Sequence, residues 1–385
     1  MTTVYESSID QSITDVLAVL RTYADEVDRD ARFPTESVDA LRDAGLLGVG
    51  IPREFGGGGA TLTDIARISR ALGAECASTA MIFVMHQSQV LSIVRHGKSV
   101  AMADLQRRIV TDRILVASAT TEINIGGDVR SSSCAVEYDG EQITLSKNAP
   151  VISYGEYAQI VLATARRSVD SPPSDQVLVV CEKPDVTLVK TGTWDTLGFR
   201  GTCSPGFMLD ARTTTSNILG DNYGDISAQT MLPVAHVLWG SAWLGIADAA
   251  VTKARKSVQK AARKTPGTPP PSALRLAELM VVHEQLVDTV FGAAAKFEAV
   301  ADSPAELGAI GFALKINNVK VTASTLVIDI VGKALQICGI SGYRQDGEMS
   351  IGRHLRDAHG SAIMVSNERI LGHNAQLSLV YKGKQ

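Results

Sequence analysis

Apolar positions recur at helical spacing along residues 10–97. Val16, Leu17, Val19 and Leu20, followed by Tyr23, mark a first helix. Pro34, whose fixed φ suits a first turn, opens a second through Val38, Leu41 and Leu46–Leu47. Pro52 and the run Gly56–Gly59 break it, and a third helix starts near Thr61–Asp64. A fourth, Ser78–Val94, is rich in Met, Phe and Val and reads as buried. From Arg113 to about Leu219 the period shortens to strand-like runs: Ile114–Ala119, Ser133–Tyr138, Gln142–Leu145, Ile160–Ala165 and Gln176–Cys181. Turns at Asp139–Gly140 and Ser171–Pro172–Pro173 separate several of them. The helical period returns near Ser227, breaks at the proline-rich stretch 265–271, and resumes over Ser272–Val300 and Pro304–Cys338. The pattern predicts an α+β chain in three parts: a helical domain (1–112), a β-sheet or barrel domain (113–224) and a C-terminal helical bundle (225–385).

Composition adds exclusions. Of 385 residues, 37 are basic and 41 acidic, so the net charge of −4 offers no general attraction to nucleic acid. Five scattered cysteines form neither a CxxC pair nor a disulfide framework, which fits a reducing, cytoplasmic setting. The N-terminus has no basic-then-apolar leader, and no run of about 18 uninterrupted apolar residues predicts a membrane span.

Candidate chemistry begins at Val116–Asp128. A strand end carrying Thr121–Glu122 runs into Gly126–Gly127–Asp128, where free backbone amides could receive an acceptor-rich ligand. A hairpin would use the same residues. Three more blocks extend the picture. One runs from Phe33–Pro34 to Ile51–Pro52 and Phe55–Gly56–Gly57; another is Trp194–Ser204; the last is Gln336–Tyr343 with Arg356–Asp357–Ala358 beyond it. In this order and spacing the four blocks resemble the acyl-CoA dehydrogenase family of flavoproteins. The resemblance implies a C-terminal four-helix bundle and FAD between it and the β-domain, with a homodimer or homotetramer completing the site. It further implies that Thr121, Gly126, Gly127 and Ser153 lie along the flavin. Gln336 and Gly339 would reach the dinucleotide from a second copy, and Arg275, Gln285 and Asn367 are further cofactor candidates. Hairpin roles for Thr121 and Ser153, and a helix cap at Gly339, remain the structural alternatives.

Departures from the family pattern bear on function. Desaturation of a thioester needs a base for the α-proton, and the family's two positions for that glutamate fall on Val365 and Ala235. His236, beside the second, and Glu368, three residues after the first, are the substitute candidates; a packed histidine and a solvated acid are the alternatives. His86 reads as a satisfied core histidine. The usual aromatic beside the flavin is Val151, the turn serine is Gly127, and two substrate-holding positions are Pro233 and His236. The phosphate-reaching arginine is replaced by the proline loop, with Arg275 the nearest substitute. The basic run Lys253, Arg255, Lys256, Lys260, Arg263 and Lys264 is either a solvated face or a dock for the phosphates of CoA or a carrier protein. Three functions follow: an FAD oxidoreductase on an acyl thioester, a monooxygenase using reduced FAD or FMN and O2, or a non-catalytic subunit paired with a paralogue.

Overall fold

The computed structural model describes residues 2–123, 130–264 and 266–383. Five helices come first: α1 (Thr2–Asp30), α2 (Thr35–Asp43), α3 (Leu62–Glu75), α4 (Ala77–His96) and α5 (Val100–Thr111). The start of α3 is set by a reciprocal cap in which Thr61 Oγ1 accepts from Asp64 N–H while the Asp64 carboxylate accepts from Thr61 N–H. Helix α4 is buried almost all round, as its composition predicts.

Seven strands follow among the described residues: β1 (Val116–Ala119), β2 (Glu137–Asp139), β3 (Gln142–Ala149), β4 (Ile160–Arg166), β5 (Gln176–Glu182), β6 (Val186–Lys190) and β7 (Phe207–Thr214). They form two separate sheets, β1-β4-β5 and β2-β3-β7-β6, so the expectation of a barrel gives way to two open sheets. The first is mixed, with β1 parallel to β4; the second is antiparallel. Residues 133–136, expected in a strand, contribute only a bridge from Ala135 to Arg166. Strands β6 and β7 are additions. In β7 the burial alternates down to Arg212, with Phe207, Leu209 and Ala211 inward.

The remaining elements are helical: α6 (Tyr223–Ile226), a π-turn at 227–231, α7 (Leu232–Ala262), α8 (Ser272–Val300), α9 (Pro304–Leu307), α10 (Ile310–Cys338), α11 (Ile340–Tyr343), α12 (Gly352–Ile363) and α13 (Asn367–Val380). Helices α7, α8, α10 and α12 pack as a bundle, and α3 lies against α7. That crossing is close enough to need glycine on both sides. A Cβ on Gly73 would stand 2.2 Å from Ala242 O, and one on Gly245 would stand 2.2 Å from Arg70 O.

Three helices have the length and mean composition to cross a bilayer, contrary to the expectation from uninterrupted runs: Ala77–His96, Tyr223–Ala262 and Ile310–Cys338. Interspersed small and polar residues hid them from a run-length reading. In the fold, 83% of the apolar window of each of the first two, and 44% of the third, is buried against other protein segments.

The three parts meet at Asp357 on α12. Its Oδ1 accepts from Phe199 N–H at 2.7 Å, Arg356 pairs with Asp28 on α1, and Arg200 Nε donates to Asp28 O at 2.8 Å. Gly198 lets the β-domain come this near, since a Cβ there would lie 2.4 Å from Arg356 O. Burial pushes the Asp357 carboxyl up to about 6, opposed by Arg353. The folded chain therefore holds this proton more tightly than the unfolded chain from about pH 4 to about 6, and the group's contribution to stability falls as pH rises through that window. We predict that Asp357→Asn, which keeps an acceptor, removes a stability slope on the order of 2 kcal/mol between pH 4 and 6. Denaturant unfolding of both proteins at the two pH values is the measurement, and equal slopes would count against this role.

Candidate active site

Where β1 ends, Thr121 Oγ1 donates to Val151 O at 3.3 Å, which brings the opening block beside the segment 151–153. Ser153 Oγ accepts from Ser204 Oγ at 2.9 Å, and Ser204 Oγ shares a second 2.9 Å bond with Thr202 Oγ1. The Trp194–Ser204 block thus supplies a chain of hydroxyls behind Ser153. Val151 is 38% exposed, so the rim it occupies is open. Gly126, Gly127 and Asp128 lie outside the described residues.

Next to Thr121, Glu122 of the same strand end belongs to a buried charged pair whose partner is Lys147. Glu122 is buried and accepts from Ser132 Oγ at 2.7 Å, Cys134 N–H at 2.8 Å, Ser133 N–H at 3.2 Å, Ser133 Oγ and Lys147 Nζ at 3.3 Å. Lys147 also donates to Thr164 O at 2.8 Å. Burial pushes the Glu122 carboxyl up, but the hydroxyls of Ser133 and Ser132 and the Lys147 charge outweigh it and hold it below the ordinary range. The signal was available in the parity of β3, whose burial alternates so that Lys147 falls on the inward side with Ile143 and Leu145.

A second group forms where α7 meets α10. Lys320, fully buried on α10, donates to Val365 O at 2.6 Å and to Asn367 Oδ1 at 2.7 Å. Ser324 is hydrogen-bonded to the same Asn367 amide. Asn367 therefore faces α10 and holds the start of α13. Val365 sits at φ +57°, strained for a β-branched residue, between α12 and α13. The helix does not continue through it, so the inference that Glu368 shares its face fails. Glu368 is exposed in the first turn of α13.

His236 is buried on α7. Its Nδ1–H donates to Ile316 O at 3.2 Å, leaving Nε2 without a partner, and burial lowers it to about 4. It is 5.8 Å, ring to ring, from Trp239, which is 6.5 Å from Trp243. His86 is the satisfied core histidine expected: Nε2 donates to Leu47 O at 2.8 Å and Nδ1 accepts from Val116 N–H at 3.0 Å, tying α4 to β1.

Gln336 and Gly339, at the end of α10, are exposed, and Gly339 has φ +58° with nothing within 4 Å of a would-be Cβ. Arg275 and Gln285 are exposed on α8, which packs on α10, α7 and α3 rather than on either sheet. In the basic run, Lys253 leaves the surface to donate to Ser350 O at 2.6 Å, while Lys256, Lys260, Arg263 and Lys264 stay exposed. The open rim at Val151, the hydroxyls of Thr121 and Ser153, and the unobstructed Gln336–Gly339 turn fit a flavin dinucleotide.

Comparison with known proteins decides the family. Residues 9–110 match the N-terminal domain of acyl-CoA dehydrogenase and residues 222–369 match its C-terminal domain. This chain belongs to the acyl-CoA dehydrogenase family. A cyclohex-1-ene-1-carbonyl-CoA dehydrogenase of Syntrophus aciditrophicus is 25% identical over 358 residues, covering 90% of this chain and 82% of that protein. An acryloyl-CoA reductase (NADH) of Anaerotignum propionicum is 28% identical over 348 residues, covering 88% and 85%. The fold matches butyryl-CoA dehydrogenase from Megasphaera elsdenii with TM-score 0.80, 21% identity and 96% and 98% of the two chains covered. It matches dibenzothiophene monooxygenase from Paenibacillus sp. A11-2 with TM-score 0.81, 17% identity and 98% of each chain covered. The family's members are FAD oxidoreductases, and this acyl-CoA dehydrogenase relative is one of them.

Removing the Glu122 charge would strand Lys147 in the β-domain. We predict that Glu122→Gln costs about 3–5 kcal/mol of unfolding free energy at pH 7. Because the folded carboxyl is lowered, the wild-type advantage should shrink on acidification through its folded value. Urea denaturation at pH 7 and at acid pH tests this; a variant as stable as wild type at pH 7 would show the pair to be dispensable.

Proposed function

We propose that the chain catalyses two-electron oxidation or reduction at the α,β-carbons of an acyl thioester. What supports this most is that two relatives matched along nearly the whole chain both act, by their names, on acyl-CoA thioesters, one as a dehydrogenase and one as a reductase. Bound FAD supplies the two-electron acceptor or donor. Thr121 and Ser153 would hold its ring from the β-domain, and Gln336 and Gly339 would hold the dinucleotide of a second copy, in a homodimer or homotetramer.

The proton needs another route, since neither Ala235 nor Val365 can accept one. His236 is the stronger of the two substitutes. It is neutral above about pH 4, its Nε2 lone pair is unpartnered, and it adjoins position 235. Glu368 is exposed in the first turn of α13, beyond the left-handed turn at Val365, and shares no helix face with that position. Burial that low also has a cost: a ring held near 4 is a weak base, and the chemistry must be helped by stabilising the charge left on the substrate.

A monooxygenase reading is favoured by two local features, the aliphatic Val365 and the exposed Val151 in place of an aromatic, and it too fits this fold. The two separate in one pair of measurements. Anaerobic addition of an acyl-CoA should bleach, or an enoyl-CoA reoxidise, the bound flavin; oxygen uptake with supplied reduced flavin and a hydroxylated product would instead establish the monooxygenase.

Two mutational outcomes follow. His236→Gln should slow substrate-dependent flavin reduction by at least about 100-fold while FAD content is retained. The wild-type rate should show no histidine limb between pH 5 and 8, because the ring is already unprotonated there. Thr121→Val should weaken FAD retention on dialysis or shift its visible band, and an unchanged spectrum and occupancy would displace Thr121 from the flavin.

A further inference from the structure

On one stripe of α7, at spacing i, i+3 and i+7, lie His236, Trp239 and Trp243, with rings in sequence along the helix. All three carry a buried ring nitrogen without a hydrogen-bond partner: His236 Nε2, Trp239 Nε1 and Trp243 Nε1. His236 and Trp243 are almost wholly buried. Lys320 completes the group from α10, its Nζ lying over the face of the Trp243 ring, 5.8 Å from its centre. Its two acceptors, Val365 O and Asn367 Oδ1, are both neutral, and among the described residues no carboxylate lies at ion-pair distance. Burial lowers its ammonium to about 8, and no nearby acid offsets this.

Such an arrangement is expensive without a ligand. Buried polar groups in folded proteins are nearly always paired, and an unpaired one costs about 1–3 kcal/mol. An uncompensated buried charge costs more. The inventory of what is missing is specific. Indole N–H groups only donate, and an ammonium with two bonds made has a third proton to give. Three donors therefore stand open against a single lone pair, that of His236, and the positive charge is met only by the Trp243 ring face and two neutral oxygens. A plain alkyl chain would satisfy none of them; an anionic oxygen would satisfy several at once.

We propose that Lys320, with the indole N–H groups of Trp239 and Trp243, binds an anionic oxygen of the substrate. This rests on the acyl-thioester reading above. Two parts of a substrate could present that oxygen. One is a carboxylate at the far end of the acyl group. The other is the thioester oxygen, which takes up the electron pair when the α-proton passes to His236 Nε2.

The test uses the FAD-loaded protein, with glutaryl-CoA and pentanoyl-CoA as an ω-carboxylate and a methyl-terminated thioester of equal chain length, and Lys320→Met, Lys320→Arg and Trp239→Phe. If the carboxylate is bound, wild type takes glutaryl-CoA about tenfold or more tighter than pentanoyl-CoA, and Lys320→Met and Trp239→Phe erase or reduce the difference. If the thioester oxygen is bound, wild type shows no such preference. Lys320→Met then lowers kcat for both substrates with little change in KM, and Lys320→Arg restores part of it. Wild-type indifference to the carboxylate together with unaltered kcat in both Lys320→Met and Trp239→Phe overturns the proposal. Should Lys320→Met not fold, the wild-type comparison and Trp239→Phe decide by the same criteria. Quenching of tryptophan fluorescence by free glutarate, but not by pentanamide, is read alongside. If no thioester perturbs the flavin yet glutarate binds and Trp239→Phe weakens it, the anion site stands and the acyl-thioester reading falls; if glutarate also fails to bind, both fall.

Discussion

A single carboxylate, that of Asp357, receives the backbone N–H of Phe199 and so fixes the distance between the sheets and the bundle. Everything held between them inherits that distance. The contact is surrounded by its own supports: Arg356 reaches Asp28, Arg353 reaches Asp25 and the carbonyl of Glu75, and Arg200 reaches the carbonyl of Asp28. Each of the three parts of the chain contributes to this knot. It also holds the left-handed backbone at Phe199, whose N–H the buried carboxylate receives. The hydroxyl row Thr202–Ser204–Ser153 begins in the same loop, so the junction and the candidate flavin rim are set by one segment.

Much of the helical architecture was legible because apolar period and turn chemistry agreed. The proline stretch before α8, the break at Gly56–Gly59 and the buried character of α4 all follow from local rules. Strands β6 and β7 were harder. Val186–Lys190 is mostly exposed, and β7 carries Asp210 and Arg212 on its outer face, so neither presents an apolar run. The barrel expectation failed for a different reason: strand count does not reveal which edges pair, and here β1 runs parallel to β4 while β3 lies between β2 and β7.

At the site, matched contexts led to Thr121, Ser153 and the vacant base positions, and the fold does draw Thr121 toward 151–153. What sequence could not supply was the set of polar groups that work in pairs across long separations. Glu122 with Lys147 and Lys320 with Asn367 are each built from residues on different elements, and only the inward parity of Lys147 announced one of them. Helical extrapolation misled at Glu368 because Val365 occupies a left-handed turn, a conformation that no side chain of its type suggests. The carbonyl of that turn is held instead by a buried lysine from α10.

Sequence separation gives the Phe199–Asp357 bond a further meaning. Its partners stand 158 positions apart, and α12 is among the last elements in the chain. During synthesis the sheets can pair with themselves long before their acceptor on α12 exists, since that helix is still to be made. The spacing of sheets and bundle is thus set late in synthesis, and a chain shortened ahead of Gly352 would retain both sheets' sequences yet lack the carboxylate that receives Phe199.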